Sequence, residues 1–287
     1  MIKNVKYILV GLMVLFLAAC GNEAEGSGDK LAQLQEKGVV KIGFANEIPY
    51  AYEENGEIKG ANVEIAKAVF KELGIEKFDA SLSDFSQLIP SIQAKQFDIV
   101  TAGMAIKPDR CEKVLFSEPE MKYGEGLIVN KGNPLNLQSY KDIAANPKVK
   151  VVVMEGATEI GFLQQEGVDP SQILIVPDIS ATFSALLSGR ADATTGTEMT
   201  VKLAWKSLNN DKLEFVETFE QPDVEGVPSY GGSVFNLADE TLRDAYNEKL
   251  AELKENGTVA KILEDNGFSE ISNMAEDVTT EQICNPS

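Results

Sequence analysis

The strand expected over Lys150 to Met154 gives way at Gly156-Ala157-Thr158 to a helix expected from about Glu159 to Glu166. Free N–H groups at such a junction attract an anion. Thr158 also suits a plain N-cap there, and the two roles are compatible. The guanidinium of Arg110 offers a planar fork that meets a carboxylate through two parallel hydrogen bonds. Glu47 lies in a loop after the first apolar strand, where a buried acid would need a cationic partner. Tyr50 and Phe85 are ring faces that can cover a delocalised cation or simply join a core. The sequence contains no His. That removes His-based triads, most His-containing metal sites and the usual neutral-pH general base, so neither a metal nor a cofactor is expected. Cys20, Cys111 and Cys284 are the cysteines. Outside a membrane, the latter two read as a disulfide candidate.

Alternating strands and helices must position these groups. Val39 to Phe44 reads as the first strand, followed by a loop and turn from Asn46 to Gly60 that contains Pro49, Asn55 and Gly56. Val63, Ala66, Val69, Phe70 and Leu73 recur at helical spacing, and Gly74 marks the helix end. Strands follow at Phe78 to Leu82 and Phe97 to Ala102, with a helix from Leu88 to Ala94 between them. The middle of the chain repeats the grammar. Strands are expected at Ile173 to Val176 and Ala191 to Thr195, and helices at Ser180 to Ser188 and Val201 to Leu208. Ser233 to Leu237 is a further strand, and Glu240 to Asn256 and Thr258 to Asn266 are amphipathic helices. Two similar α/β units fit this pattern better than one long sheet.

The N-terminus carries an address. Lys3 and Lys6 precede an apolar stretch from Tyr7 to Ala19, too short for a membrane span. Leu17-Ala18-Ala19-Cys20 resembles a bacterial lipobox. That resemblance implies a signal peptide over 1–19, lipidation of Cys20 and a tether within 20–38, with the rest held extracytoplasmically at the membrane. The formal charge of the whole chain is −19, and removing Lys3 and Lys6 takes it to −21. Such a surface repels nucleic acid and does not drive binding to anionic lipid.

Leu88-Ile89-Pro90, Phe97-Asp98-Ile99-Val100, Ala102-Gly103-Met104, Pro108-Asp109-Arg110 and Phe116-Ser117-Glu118-Pro119 occur in order. Gly189-Arg190-Ala191-Asp192-Ala193 and Glu255-Asn256-Gly257-Thr258 follow. Over residues 39 to 270 the chain resembles the polar-amino-acid family of ABC-transporter substrate-binding proteins. The resemblance implies a two-lobed α/β fold of the type II periplasmic-binding-protein kind. Lobe one would take 39–127 and 231–287, and lobe two 128–230. The chain would cross near Leu127-Ile128-Val129 and return near Tyr230-Gly231-Gly232. A ligand would sit between the lobes and be trapped by hinge closure. Phe44 to Tyr52, with Ala102-Gly103-Met104 and Arg110-Cys111-Glu112, is more narrowly similar to the binders of ectoine and hydroxyectoine.

Ectoine joins a cyclic amidinium to a carboxylate. The resemblance assigns Glu47 to the amidinium and Tyr50 and Phe85 to the aromatic enclosure. Gly103 falls at the turn beside them, and Arg110 and Thr158 fall to the carboxylate. It calls for a third aromatic at Ala105, where Tyr52 or Tyr123 would have to close the wall. The acid that holds an α-ammonium in amino-acid binders falls at Thr197 here, or at Glu198 if the register shifts by one. Losing it argues against a free α-amino acid. The family's C-terminal tail returns to lobe one, which would pair Cys111 with Cys284. The implied partners are a small zwitterion and the membrane-bound permease subunits of an ABC importer, with the binding protein itself a monomer. The rival readings are a polar or cationic amino-acid binder, a cyclic-dehydratase-like enzyme on the same scaffold, and a receptor sensor domain. The absence of His and of an acid–base pair beyond Glu47 weighs against the enzyme.

Overall fold

The computed structural model describes residues 29–269, 273–275 and 278–286. The expected signal peptide and Cys20 lie outside them. The described chain begins with helix α1 (Lys30–Lys37), inside the stretch expected to be tether. Asp29 caps its first turn, and Gly38 closes it in the left-handed conformation. Its single buried residue, Leu34, joins the core of the first lobe. Lys30 pairs with Asp98 at 2.6 Å.

Strand β1 (Val39–Phe44) follows and is mostly buried. β2 (Tyr52–Glu54) and β3 (Glu57–Lys59) form a small hairpin inside the expected loop. Asn55 and Gly56 turn it with φ of 56° and 82°, the left-handed pair that matches strand twist in two-residue hairpins. Helix α2 (Ala61–Glu72) buries Ile65, Ala66, Val69 and Phe70 against β1. β4 (Lys77–Leu82) pairs parallel to β1. Next come α3 (Leu88–Gln93), β5 (Ile99–Val100), the single-turn α4 (Pro108–Cys111) and β6 (Leu115–Phe116).

Two short strands then join the lobes. β7 (Met121–Tyr123) leads out of the first sheet and directly into β8 (Glu125–Asn130). The second sheet is built from β8, β9 (Val151–Met154), β10 (Ile173–Val176), β11 (Ala193–Thr197) and β12 (Leu213–Phe215), in the order β10-β9-β11-β8-β12. Helices α5 (Tyr140–Ala145), α6 (Glu159–Gln165), α7 (Ile179–Leu187) and α8 (Glu198–Leu208) connect these strands. The return strand β13 (Ser229–Gly231) pairs antiparallel with β7 as a separate two-stranded ribbon, with a single bridge from Gly231 to Ala105. β14 (Val234–Phe235) then inserts into the first sheet, in the order β4-β1-β5-β14-β6. The outward crossing therefore falls at residues 121–124. Leu127-Ile128-Val129, where it was expected, already pair with β11 inside the second sheet. Helices α9 (Glu240–Glu255), α10 (Thr258–Asp265) and α11 (Thr280–Cys284) end the described chain, with α9 and α10 packed against α2.

Each lobe has its own core. Phe70, Phe235 and Tyr246 meet edge to face in the first. Beneath them the carboxylate of Glu120, just before β7, accepts hydrogen bonds from Asn62 Nδ2 and Tyr246 Oη, both at 2.7 Å. Burying an acid requires such donors, and here they fix the start of the crossover. Cys111 and Cys284 are disulfide-bonded with Cα atoms 5.8 Å apart. The bond ties α11 to the helix that carries Arg110.

Candidate functional site

The cleft between the lobes is narrow and encloses a cavity of about 30 Å³. Elements from both lobes line it, arriving by strand ends, tight turns or the first turns of helices. The turn after β1 is folded by backbone bonds from Glu47 N to Ala51 O at 2.8 Å and from Tyr50 N to Glu47 O at 2.8 Å. It aims both Glu47 and Tyr50 into the cavity, where they are 8% and 1% exposed. Phe85 comes from a 3-10 turn over Phe85–Gln87. Gly103 follows β5 with φ of 59°, and a Cβ there would lie 2.6 Å from the Tyr50 ring, so only glycine fits. The Tyr123 hydroxyl donates to Gly103 O at 2.5 Å, and its ring meets Tyr50 edge to face at 5.4 Å. Tyr123 thus occupies the wall beside Ala105, which also lines the cavity, whereas Tyr52 does not reach it.

Arg110 is buried in α4 and spans the lobes. Its Nη1 donates to Ala105 O and its Nη2 to Gly156 O, both at 2.8 Å. The guanidinium carries five N–H donors, so donors remain for a ligand. Its carbon lies 5.7 Å from the centroid of the Phe85 ring. From the second lobe, Thr158 and Glu159 enter at the start of α6. Thr158 makes no capping bond. Its hydroxyl turns instead to Glu159 Oε2 at 3.4 Å. Thr195 and Thr197 on β11 complete the wall. Glu198 does not line it: it opens α8, its side chain is 45% exposed, and it lies 3.9 Å from Lys202.

The electrostatics are uneven. Glu47 Oε2 accepts from Thr200 Oγ1 across the lobes at 3.3 Å, while its buried Oε1 has no partner. Burial first, and the neighbouring Glu159 second, push the Glu47 carboxyl up to about 8, against the Thr200 hydrogen bond and Arg110. Burial lowers Arg110. Burial also holds the Tyr50 and Tyr123 hydroxyls well above their usual range. Sequence reasoning missed the part of Glu159 and Thr200. Glu159 was visible as the residue after Thr158. Thr200 carried no signal, because its place depends on how the lobes meet. Among the described residues no cluster could hold a metal ion, and no helix is long and apolar enough to cross a membrane.

Two α/β lobes on a two-stranded crossover, with a charged and aromatic cavity where they meet, define a two-lobed solute-binding protein. The sequence profile of bacterial extracellular solute-binding proteins, family 3, matches residues 40–268, and the chain belongs to that family. It is similar to the probable amino-acid ABC transporter periplasmic-binding protein y4tE of Sinorhizobium fredii. The two are 38% identical over 261 residues, covering 88% of this chain and 85% of the relative. It is also similar to the arginine-binding extracellular protein ArtP of Bacillus subtilis, at 29% identity over 89% of this chain and 94% of ArtP. Among solved structures, EhuB in complex with hydroxyectoine superposes with a TM-score of 0.82 at 36% identity, covering 90% of this chain and 99% of EhuB. The family and these relatives are binding proteins rather than enzymes.

Proposed function

We propose that this protein captures ectoine or hydroxyectoine outside the cell and delivers it to the permease of an ABC importer. The observation that carries the reading is the unpartnered, buried Oε1 of Glu47, facing a cavity that also holds the spare donors of Arg110. A zwitterion with a delocalised cation satisfies both. Its amidinium meets Glu47 between the faces of Tyr50, Phe85 and Tyr123, and its carboxylate meets Arg110 and Thr158. Gly103 and Thr197 shape the walls. Glu198, outside the cavity, takes no part. Similarity to EhuB supports the choice of ligand. Capture proceeds by closure on the β7–β13 ribbon, for which the Arg110–Gly156 and Thr200–Glu47 bonds serve as latches between lobes. The protein acts as a monomer, anchored through lipidated Cys20.

A second reading, a cationic amino-acid binder, is favoured by Glu159, an acid on the second-lobe side that could hold an ammonium group. Similarity to ArtP points the same way. Calorimetric titration of the mature domain with ectoine, hydroxyectoine, glycine betaine, glutamine and arginine separates the two. Tight binding of arginine with none of either ectoine would reject the first reading.

A further inference from the structure

Glu125 stands at the entry to the second lobe, two residues beyond the end of the crossover strand β7. The Gln221 side chain clamps its backbone. Gln221 Oε1 accepts from Glu125 N at 2.7 Å, and Gln221 Nε2 donates to Glu125 O at 2.8 Å. The Glu125 side chain is 1% exposed, and neither carboxyl oxygen has a hydrogen-bond partner. Its facing neighbour is the carboxyl of Glu159, itself 3% exposed and part of the cavity wall. Two ionised carboxylates are acceptors only. They meet favourably only when one carries a proton.

The groups around the pair supply no donor to Glu125. Tyr140 of α5 approaches from below, but Thr195 Oγ1 donates to Gly126 O at 2.8 Å, so the Tyr140 proton goes to Thr195, at 2.6 Å. Tyr123 of β7 spends its proton on Gly103 O, and Arg110, which donates to Ala105 O and Gly156 O, directs none of its remaining N–H groups to Glu125. The Thr158 hydroxyl reaches Glu159, not Glu125. Glu47 and Tyr50 face the pair from the first lobe, the former as a further acid and the latter with its hydroxyl towards Thr197. Arg110 is the cation among these groups.

We propose that Glu125 and Glu159 hold one proton between them at neutral pH, so that the pair presents a single negative charge to the ligand. Burial first and Glu159 second drive Glu125 well above the carboxylate range, in agreement with a proton residing there. The consequence concerns the class of ligand. The charge excess of the cleft, three acids against one arginine, is reduced by a proton rather than by a second ligand cation. The site then suits a ligand with one cation and one carboxylate. This step rests on the reading of the cleft as a zwitterion site.

Carbon-detected NMR of the ligand-free mature domain, labelled at the glutamate side-chain carboxyl carbon, tests the proton directly. At pH 7 a protonated carboxyl signal distinct from that of Glu47, which Glu47→Gln identifies, should vanish in Glu125→Gln. If Glu125→Gln fails to fold, Glu159→Gln serves. Its amide donates to Glu125, and the same signal should move to the ionised position at pH 7. No protonated glutamate at pH 7 other than Glu47, or a second protonated signal that neither substitution alters, overturns the pair. Titration with hydroxyectoine and with arginine tests the consequence. Glu125→Gln keeps the donor and should bind whichever probe wild type binds within about twofold. A loss of more than tenfold at unchanged melting temperature would show that the ligand needs both charges, against the proposal. If neither probe binds wild type, the ligand reading fails while the NMR result still decides the pair.

Discussion

Replacing Glu47 with Gln should move ligand-free stability and ligand affinity in opposite directions. Gln keeps the shape and the acceptor for Thr200 but removes a charge that the empty cleft leaves poorly compensated. The Glu47 carboxyl rises from 4.5 to about 8, which at ~1.4 kcal/mol per tenfold corresponds to about 5 kcal/mol of unfavourable burial of the ionised form. That is an upper bound, because opening of the cleft returns the carboxylate to water. The sign follows from linkage. A folded pKa above the unfolded one favours the protonated acid, so its contribution is complete below about 4.5 and is lost as pH rises towards 8. Ligand-free Glu47→Gln should therefore melt progressively higher than wild type between pH 5 and pH 8. At ~2–4 °C per kcal/mol for a chain of this size, even a fraction of the bound is readable by calorimetry. A cationic ligand feels the opposite effect, since it loses its charged partner. Affinity for hydroxyectoine should fall by about 2–5 kcal/mol, the loss expected when one member of a desolvated charge pair is removed. A lower melting temperature in the free variant, with affinity kept, would mean that Glu47 is structural and refute the reasoning.

Three further substitutions probe the same frame. Arg110→Ala strips the ligand carboxylate of its partner and leaves Ala105 O and Gly156 O without theirs, so affinity should drop by ~2–5 kcal/mol; titration within twofold of wild type would reject the clamp. Ala105→Phe should weaken binding and destabilise the fold by about 1–3 kcal/mol, because Ala105 is 4% exposed and Tyr123 already fills that wall; tighter binding would show that the wall is open after all. Cys284→Ser removes a link across 173 residues, worth roughly 5 kcal/mol in the chain-entropy model, and should lower the melting temperature under oxidising conditions; an unchanged melt, or two reactive thiols in unreduced wild type lacking Cys20, would show the bridge does not form in solution.

What the sequence disclosed follows physical lines. β1 and β10 are runs of apolar, β-branched residues bounded by turns, and their limits, Val39–Phe44 and Ile173–Val176, are those expected from composition. α1 escaped notice because KLAQLQEK buries only Leu34, too little to show a stripe, and its charge matched a tether. The β2–β3 hairpin escaped for a related reason. Its strands are three residues each and largely exposed, so only the Asn55-Gly56 turn stood out. The early crossing was hidden because β7, Met121-Lys122-Tyr123, is short and interrupted by a charge, whereas Leu127-Ile128-Val129 is the conspicuous apolar run. In the site, Arg110 and Glu47 were reached through resemblance, and their burial depends on how two lobes meet.

The choice between Thr197 and Glu198 was a question of register, and strand geometry puts Thr197 on the cavity wall and Glu198 off it. Side chains alternate along a strand. Thr195 and Thr197, two residues apart on β11, both line the cavity. Glu198 begins α8 and its side chain turns to Lys202. The acid contributed by the second lobe comes instead from the α6 start, at Glu159, with Glu125 behind it. Thr197 stands opposite Glu125 in the β11–β8 register, a pairing between segments far apart in the chain. No local pattern announces such an acid. It was visible only as a lone charge at the head of the apolar run Gly126-Leu127-Ile128-Val129, where a buried strand has no use for one unless a proton or a partner neutralises it.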